Sequence, residues 1–193
     1  PVCIAAQEGH EATVRALAMF GADLNTPNNK GATPVCVAAY NGHEATIRAL
    51  AELGADLNLP NRNGATPVCV AAHRGHEATV RALLELGADL NTPNRHGTTP
   101  VCIAAQEGHE ATVRALGELG ADLNTPNNKG ATPVCVAACN GHEAIIRALA
   151  NAGADLNMPS NNGATPVNMA AREGHEATVR ALGELGADLN TPN

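Results

Sequence analysis

Six histidines recur along the chain, and a glutamate directly follows each of them, a pairing used by zinc-dependent hydrolases. They are His10, His43, His76, His109, His142 and His175. The hydrolase motif also needs a second histidine four residues after the first, on the same helix face. Valine or isoleucine stands there in all six copies. The sequence therefore predicts no metal site at these histidines.

The six cysteines are the next candidates for chemistry. Five of them, Cys3, Cys36, Cys69, Cys102 and Cys135, follow one another at intervals of 33 residues, and Cys139 is additional. Equivalent residues of stacked helices lie ~8–10 Å apart, whereas a disulfide needs Cα atoms within ~7 Å. We therefore expect free thiols packed in a core. Free thiols favour a reducing compartment, which makes an intracellular, cytoplasmic location the expectation.

Aspartates form a third regular series, each within a Gly-Ala-Asp-Leu-Asn segment. They are Asp23, Asp56, Asp89, Asp122, Asp155 and Asp188. General acid–base catalysis by a carboxylate pair requires two of them a few ångströms apart in a cleft, and a regular series does not provide this. Phosphate-binding glycine loops and nucleophile elbows are also missing from the sequence. We predict that the chain is not an enzyme and has no catalytic, cofactor-binding or metal-binding residues.

These series all follow from one internal repeat. The segment PVCIAAQEGHEATVRAL begins at Pro1, and close copies begin at Pro34, Pro67, Pro100, Pro133 and Pro166. The interval is 33 residues throughout, and the copies account for the whole chain. The sequence thus predicts a single repeat array over residues 1–193, without distinct caps at its ends.

Each repeat is predicted to form two short helices. In the second repeat, Thr33 can cap a helix that starts at Pro34 and ends at Gly42. A second helix is predicted from about Glu44 to Leu53, with Ile47, Leu50 and Leu53 on one apolar face. Helices this short are marginal in isolation. Neighbouring repeats must therefore stack to bury their apolar faces.

The repeat resembles the ankyrin repeat family. The resemblance rests on Gly31-Ala32-Thr33-Pro34, on the pairs Ala38-Ala39 and Gly42-His43, and on Gly54-Ala55-Asp56-Leu57-Asn58, with matching segments in the other repeats. It implies an all-α fold, an ankyrin-repeat solenoid of stacked helix-turn-helix pairs with β-turn or hairpin fingers. It also implies a scaffold for protein–protein interaction that binds a partner through its concave face and its turn tips.

Two positions connect this chain with finer properties of that family. The family's histidine after Thr-Pro-Leu is Cys36 and its equivalents here, and a thiol is a weaker donor, so we expect a weaker tie between turn and helix. The loop asparagines, from Asn25 to Asn190, resemble residues that asparaginyl hydroxylases modify in ankyrin repeats. That second resemblance would make the chain a substrate rather than an enzyme.

Charge and hydropathy restrict the class of partner. The chain carries 12 basic and 19 acidic residues, for a formal net charge of −7. Nucleic-acid-binding proteins usually present a basic face, so neither a nucleic acid nor an anionic membrane surface is expected as a partner. No apolar run approaches the ~18 residues needed to span a bilayer.

Differences between the repeats locate the candidate interface. They concentrate after the paired alanines and at the turn tips, which line the binding surfaces of the family that the chain resembles. We name the most promising of them the variable surface: Tyr40, Asn41, Arg62, Asn63, His73, Arg74, Arg95, His96, Gln106 and Glu107. Its tyrosine and arginines favour a protein partner with an acidic surface.

Two alternatives and one further expectation accompany this interpretation. The variable surface could reflect neutral drift of exposed positions, and the array could be a structural spacer or spring within a longer protein. The terminal repeats keep the apolar residues of interior repeats, for example Ile4 and Leu17 in the first. End-to-end self-association is therefore also expected.

Overall fold

Pairs of short helices account for the regular structure of the described residues, 1–190 of a computed structural model. These residues contain twelve helices and no strand. They divide into two compact units, the N-terminal unit Pro1–Arg95 and the C-terminal unit His96–Asn193. The N-terminal unit contains α1 Val2–Gln7, α2 Glu11–Met19, α3 Pro34–Asn41, α4 Glu44–Glu52, α5 Pro67–Arg74 and α6 Glu77–Glu85. The C-terminal unit contains α7 Pro100–Glu107, α8 Glu110–Glu118, α9 Pro133–Cys139, α10 Glu143–Asn151, α11 Pro166–Glu173 and α12 Glu176–Glu184.

In the second repeat, the first helix begins and ends at the residues that the sequence predicts. In α3 the Thr33 hydroxyl accepts a hydrogen bond from the Cys36 N–H at 3.2 Å, and Pro34 occupies the first turn. Gly42 ends the helix at φ +75°, in the left-handed region that a residue with a Cβ rarely adopts. Both ends of this helix are therefore encoded locally.

The second helix is one residue shorter than the sequence predicts. In the second repeat, α4 ends at Glu52, and the Leu53 N–H closes the last turn on the Ala49 carbonyl. Leu50 is fully buried, whereas Leu53 is 37% exposed. The prediction that Leu53 shares the buried face is therefore wrong. The helix has ended before Leu53 and the chain turns at Gly54, so the Leu53 side chain does not continue the buried face.

Within each unit, like helices stack on like helices. In the N-terminal unit α1 contacts α3, α3 contacts α5, α2 contacts α4, and α4 contacts α6. In the C-terminal unit the first helices α7, α9 and α11 form one such series, and the second helices α8, α10 and α12 form another. Alanines at Ala38, Ala39 and Ala49 are fully buried between these layers. Such small side chains let neighbouring helices approach closely, which explains a core with almost no aromatic residues.

Turns, rather than hairpins, connect the repeats in the described residues. The Asn28 N–H donates to the Ala32 carbonyl, and the Asn28 side chain accepts from the N–H groups of Lys30 and Ala32. Within the N-terminal unit, the Arg95 N–H also donates to the Asn63 carbonyl of the preceding turn at 3.2 Å. The all-α stacking of helix pairs is thus confirmed, whereas the fingers are turns that contain no strand. No helix in the described part of the chain has the length and apolar character needed to cross a membrane.

Candidate functional site

The recurring histidines connect successive repeats. In the N-terminal unit, Nε2 of His43 lies 2.9 Å from the Gln7 carbonyl, and Nε2 of His76 lies 3.1 Å from the Tyr40 carbonyl. In the C-terminal unit, His175 makes the same contact with the Cys139 carbonyl. Because a carbonyl can only accept, Nε2 carries the proton in each case. The described residues contain no group of three or more metal-ligating side chains.

The buried cysteines make a parallel set of links. The Cys36 thiol donates to the Leu59 carbonyl at 3.6 Å, and the Cys135 thiol donates to the Met158 carbonyl at 3.4 Å. The tie between helix and turn is therefore present, although its donor is weak. All six cysteines are free thiols. Burial raises the pKa of Cys102 to about 12, so this thiol is a poor nucleophile at neutral pH.

The aspartates also have structural partners. The Asp89 carboxylate accepts hydrogen bonds from the Asn91 N–H and the Thr92 hydroxyl, and these two bonds lower its pKa. The Asn58 side chain in turn accepts from the Asp89 N–H at 2.8 Å, which joins one loop to the next. The Asn25 side chain makes the same bond to the Asp56 N–H. These hydrogen bonds order the loops in which the aspartates lie.

One structural role was missed by sequence reasoning: the recurring arginine of the second helix pairs with glutamates of two repeats. Arg15 contacts Glu11 in its own helix at 2.8 Å and Glu52 in the next repeat at 2.7 Å. Arg147 pairs in the same way with Glu143 and Glu184 in the C-terminal unit. The spacing of four residues signals the pair within a helix. Only stacking creates the pair between repeats.

The variable surface has its most defined feature in the N-terminal unit. The Arg74 guanidinium lies over the Tyr40 ring, 4.6 Å from its centroid. Tyr40 is 47% exposed, and Arg74 is exposed too. The Asn41 amide is instead directed to its own helix, where it donates to the Val37 carbonyl at 2.9 Å. Arg62, Asn63, His73 and Arg95 are all exposed on the same unit.

The other predicted residues belong to the C-terminal unit. His96, Gln106 and Glu107 are exposed there, and the Gln106 amide donates to the Glu107 carboxylate at 2.9 Å. The His96 carbonyl accepts from the Asn128 N–H of the next turn. The structure thus brings Tyr40 and Arg74 together in one unit, and Gln106 and Glu107 together in the other. That all ten residues form one interface stays a prediction.

Comparison with known proteins agrees with this geometry. A family model described as "Ankyrin repeats (3 copies)" matches residues 1–61, 53–127 and 119–193. The crystal structure of an ankyrin repeat domain from Acinetobacter baumannii AYE is similar, with a TM-score of 0.87 and 30% sequence identity. That match covers 97% of this chain and 98% of the other. No curated protein sequence matches the chain. The fold is an all-α repeat solenoid, and the chain belongs to the ankyrin repeat family.

Proposed function

We propose that this chain is a binding module that holds a protein partner on its variable surface. Ankyrin repeats are generally protein–protein interaction modules. The proposal rests on a difference between two classes of side chain: those that recur in every repeat and those that vary between repeats. Recurring residues such as His43, Cys36 and Arg15 bond to neighbouring repeats. The variable residues are exposed at the surface, where a partner can contact them.

An acidic surface is the partner chemistry that this module fits best. Tyrosine and arginine are the residue types enriched at interface hot spots, and the N-terminal unit exposes Tyr40, Arg62 and Arg74. The net charge of −7 disfavours nucleic acids, which need a basic face. Proteins of this family are typically scaffolds without enzymatic activity, and we propose the same for this chain.

The test is capture of a partner by three forms of the full chain. One form is unaltered, one carries Tyr40→Ala, Arg62→Ala and Arg74→Ala, and a control carries Arg15→Ala and Arg48→Ala on the second helices. Proteins captured from an extract of the source organism are cross-linked to the chain, and the linked residues are identified by mass spectrometry. We expect one partner that the variable-surface form loses and the control keeps. Capture of no specific partner, or equal capture by all three forms, would favour the structural spacer.

Self-association is a second property that we propose. Ile4 is 69% exposed, Met19 is 84% exposed and Phe20 is 91% exposed, all in the first repeat. Large apolar side chains this exposed are unfavourable in water, and contact with another chain would cover them. We therefore expect association through this repeat at high protein concentration.

A further inference from the structure

The contact with the Tyr40 ring restricts the position of the positively charged Arg74 side chain on the N-terminal unit. The guanidinium lies 4.6 Å from the ring centroid, within the range of a cation–π interaction. Such a contact leaves N–H donors of the guanidinium available, because a ring offers them no lone pair. It also restricts the rotamers of a long side chain. Less conformational entropy is then lost when a ligand binds.

Arg74 differs from the arginines on the second helices of this unit, because those arginines form ion pairs. Arg15, Arg48 and Arg81, on the second helices of this unit, each form an ion pair with a glutamate at 2.7–2.8 Å. Arg74 forms no ion pair with any carboxylate among residues 1–190, and neither does Arg62. A guanidinium with this set of planar donors is complementary to a carboxylate, which can accept two of them.

Arg62 is a second cation that the fold holds in place. Its side chain lies against Gly31 of the preceding turn, and a Cβ added to Gly31 would collide with Arg62 Cγ. Gly31 also has a φ of +74°, so both space and backbone conformation favour glycine there. The unit therefore presents two arginines whose positions depend on packing against other residues.

Arg172 in the C-terminal unit provides a comparison with Arg74, because it also lies near the end of the first helix of its repeat. Arg172 lies in the last turn of α11, one residue earlier than Arg74 lies in its own repeat. Its Nε is 2.9 Å from the Glu173 carboxylate. Glu107 occupies the position equivalent to Arg74 in the fourth repeat, and its carboxylate accepts from Gln106. On this unit the corresponding cation is already neutralised by its neighbour.

We propose that Arg74, held by the Tyr40 ring, binds an aspartate or glutamate carboxylate in a linear acidic segment of the partner. This inference rests on the proposed function, and it assigns recognition of the partner's acidic residues to the N-terminal unit. The carboxylate accepts hydrogen bonds from the guanidinium donors that the ring does not use. Arg62 contributes a second positive charge to the same unit and favours segments with more than one acidic residue.

Selection from a library of random linear peptides on the immobilised full chain tests this inference. We expect the enriched peptides to be rich in aspartate and glutamate. A selected peptide is then titrated against purified variants by fluorescence anisotropy. Arg74→Gln should weaken binding about tenfold, as expected for loss of a charge-assisted hydrogen-bonded pair. Tyr40→Ala should weaken it about threefold, and Tyr40→Phe, which keeps the ring, should have little effect.

Arg172→Gln is the matched control, because this arginine is exposed but already paired, and it should leave affinity unchanged. Circular dichroism verifies that each variant is folded. Enriched peptides without acidic residues would overturn the inference, and so would equal affinities for Arg74→Gln and Arg172→Gln. In both cases peptide binding itself would still support the proposed function. Failure to enrich any peptide would also overturn it, and capture of a folded partner would then test the function separately.

Discussion

The Arg15 guanidinium lies 2.7 Å from the Glu52 carboxylate, a residue of the next repeat that is 37 positions further along the chain. Equivalent pairs join Arg48 to Glu85 and Arg147 to Glu184. The fifth repeat departs from this pattern, because Asn151 stands where the second, third, fourth and sixth repeats have glutamate. Arg114, which would face that position, pairs only within its own helix in the contacts described, with Glu110.

Restoring the missing carboxylate should stabilise the C-terminal unit slightly. Asn151→Glu is expected to raise Tm by about 1–2 °C, because an exposed ion pair contributes little free energy. Thermal melts at low and high salt provide the measurement, and the gain should shrink in high salt. The reverse change, Glu184→Asn, is the matched control and should lower Tm by a similar amount. A gain that persists in high salt would contradict the ion-pair explanation.

Within residues 1–190, three buried threonine hydroxyls have no hydrogen-bond partner: those of Thr46, Thr112 and Thr178. The equivalent residue in the fifth repeat is Ile145, which is also buried. Thr46→Val keeps the shape and removes an unsatisfied polar group, so it should raise the free energy of unfolding by about 1 kcal/mol. Chemical denaturation measures the change.

Another threonine distinguishes this effect from a general gain in hydrophobicity. The Thr33 hydroxyl caps α3, so Thr33→Val should lower the free energy of unfolding by about 1 kcal/mol. If Thr46→Val also destabilises the chain, its hydroxyl must have a partner in solution.

Substitutions of Leu50 and Arg74 should show that stability and partner binding depend on different residues. Leu50 is fully buried, so Leu50→Ala should cost about 2–5 kcal/mol of unfolding free energy through lost transfer energy and a cavity. Arg74→Ala should change stability by only about 0.5 kcal/mol, as expected for a surface residue. Thermal melts of both variants, with titration of a verified partner, measure the two effects. Unfolding caused by Arg74→Ala would show that its side chain supports the fold.

The loop of Asp89 predicts a dependence of stability on pH. The Thr92 hydroxyl and the Asn91 N–H hold the pKa of Asp89 below its ordinary value. A lowered pKa in the folded state stabilises the fold above the ordinary aspartate pKa, near 4, and this stabilisation is lost as pH falls through the lowered value. Thr92→Leu should therefore raise the pKa of Asp89 and reduce stability at pH 7, with the difference from the unaltered chain disappearing in acid.

NMR titration of the Asp89 carboxyl carbon measures this pKa directly. Thr92→Ser keeps the hydroxyl and serves as the control, for which a lowered pKa should be retained. An unchanged pKa in Thr92→Leu would assign the shift to the backbone N–H groups of Asn91 and residue 92.

Self-association should depend on two residues of the first repeat. Met19 and Phe20 correspond to Glu118 and Leu119 in the otherwise similar fourth repeat. The double variant Met19→Glu with Phe20→Leu should shift the chain toward monomer in sedimentation velocity at high concentration, because it removes exposed apolar surface. A monomeric unaltered chain at the same concentration would contradict this proposal.

The sequence by itself determined the repeat, the helix pairs and the boundaries of the first helix in the second repeat. Thr33, Pro34 and Gly42 act within a few residues of their own positions, through a cap, a preset φ and a left-handed conformation. Signals that act over only a few residues can be recognised in the sequence without knowing which helix surfaces pack together. The family and the all-α fold followed from the same local pattern repeated along the chain.

Only the tertiary structure decided what the side chains bond to across repeats. His43 reaches a carbonyl 36 residues before it, Cys36 one 23 residues after it, and Arg15 a carboxylate 37 residues after it. It also placed Leu53 at the surface and Arg74 over the Tyr40 ring. These contacts depend on how one layer sits on the next. That register comes from packing of buried alanine, valine and leucine surfaces, which a pattern of residue types along the chain does not specify.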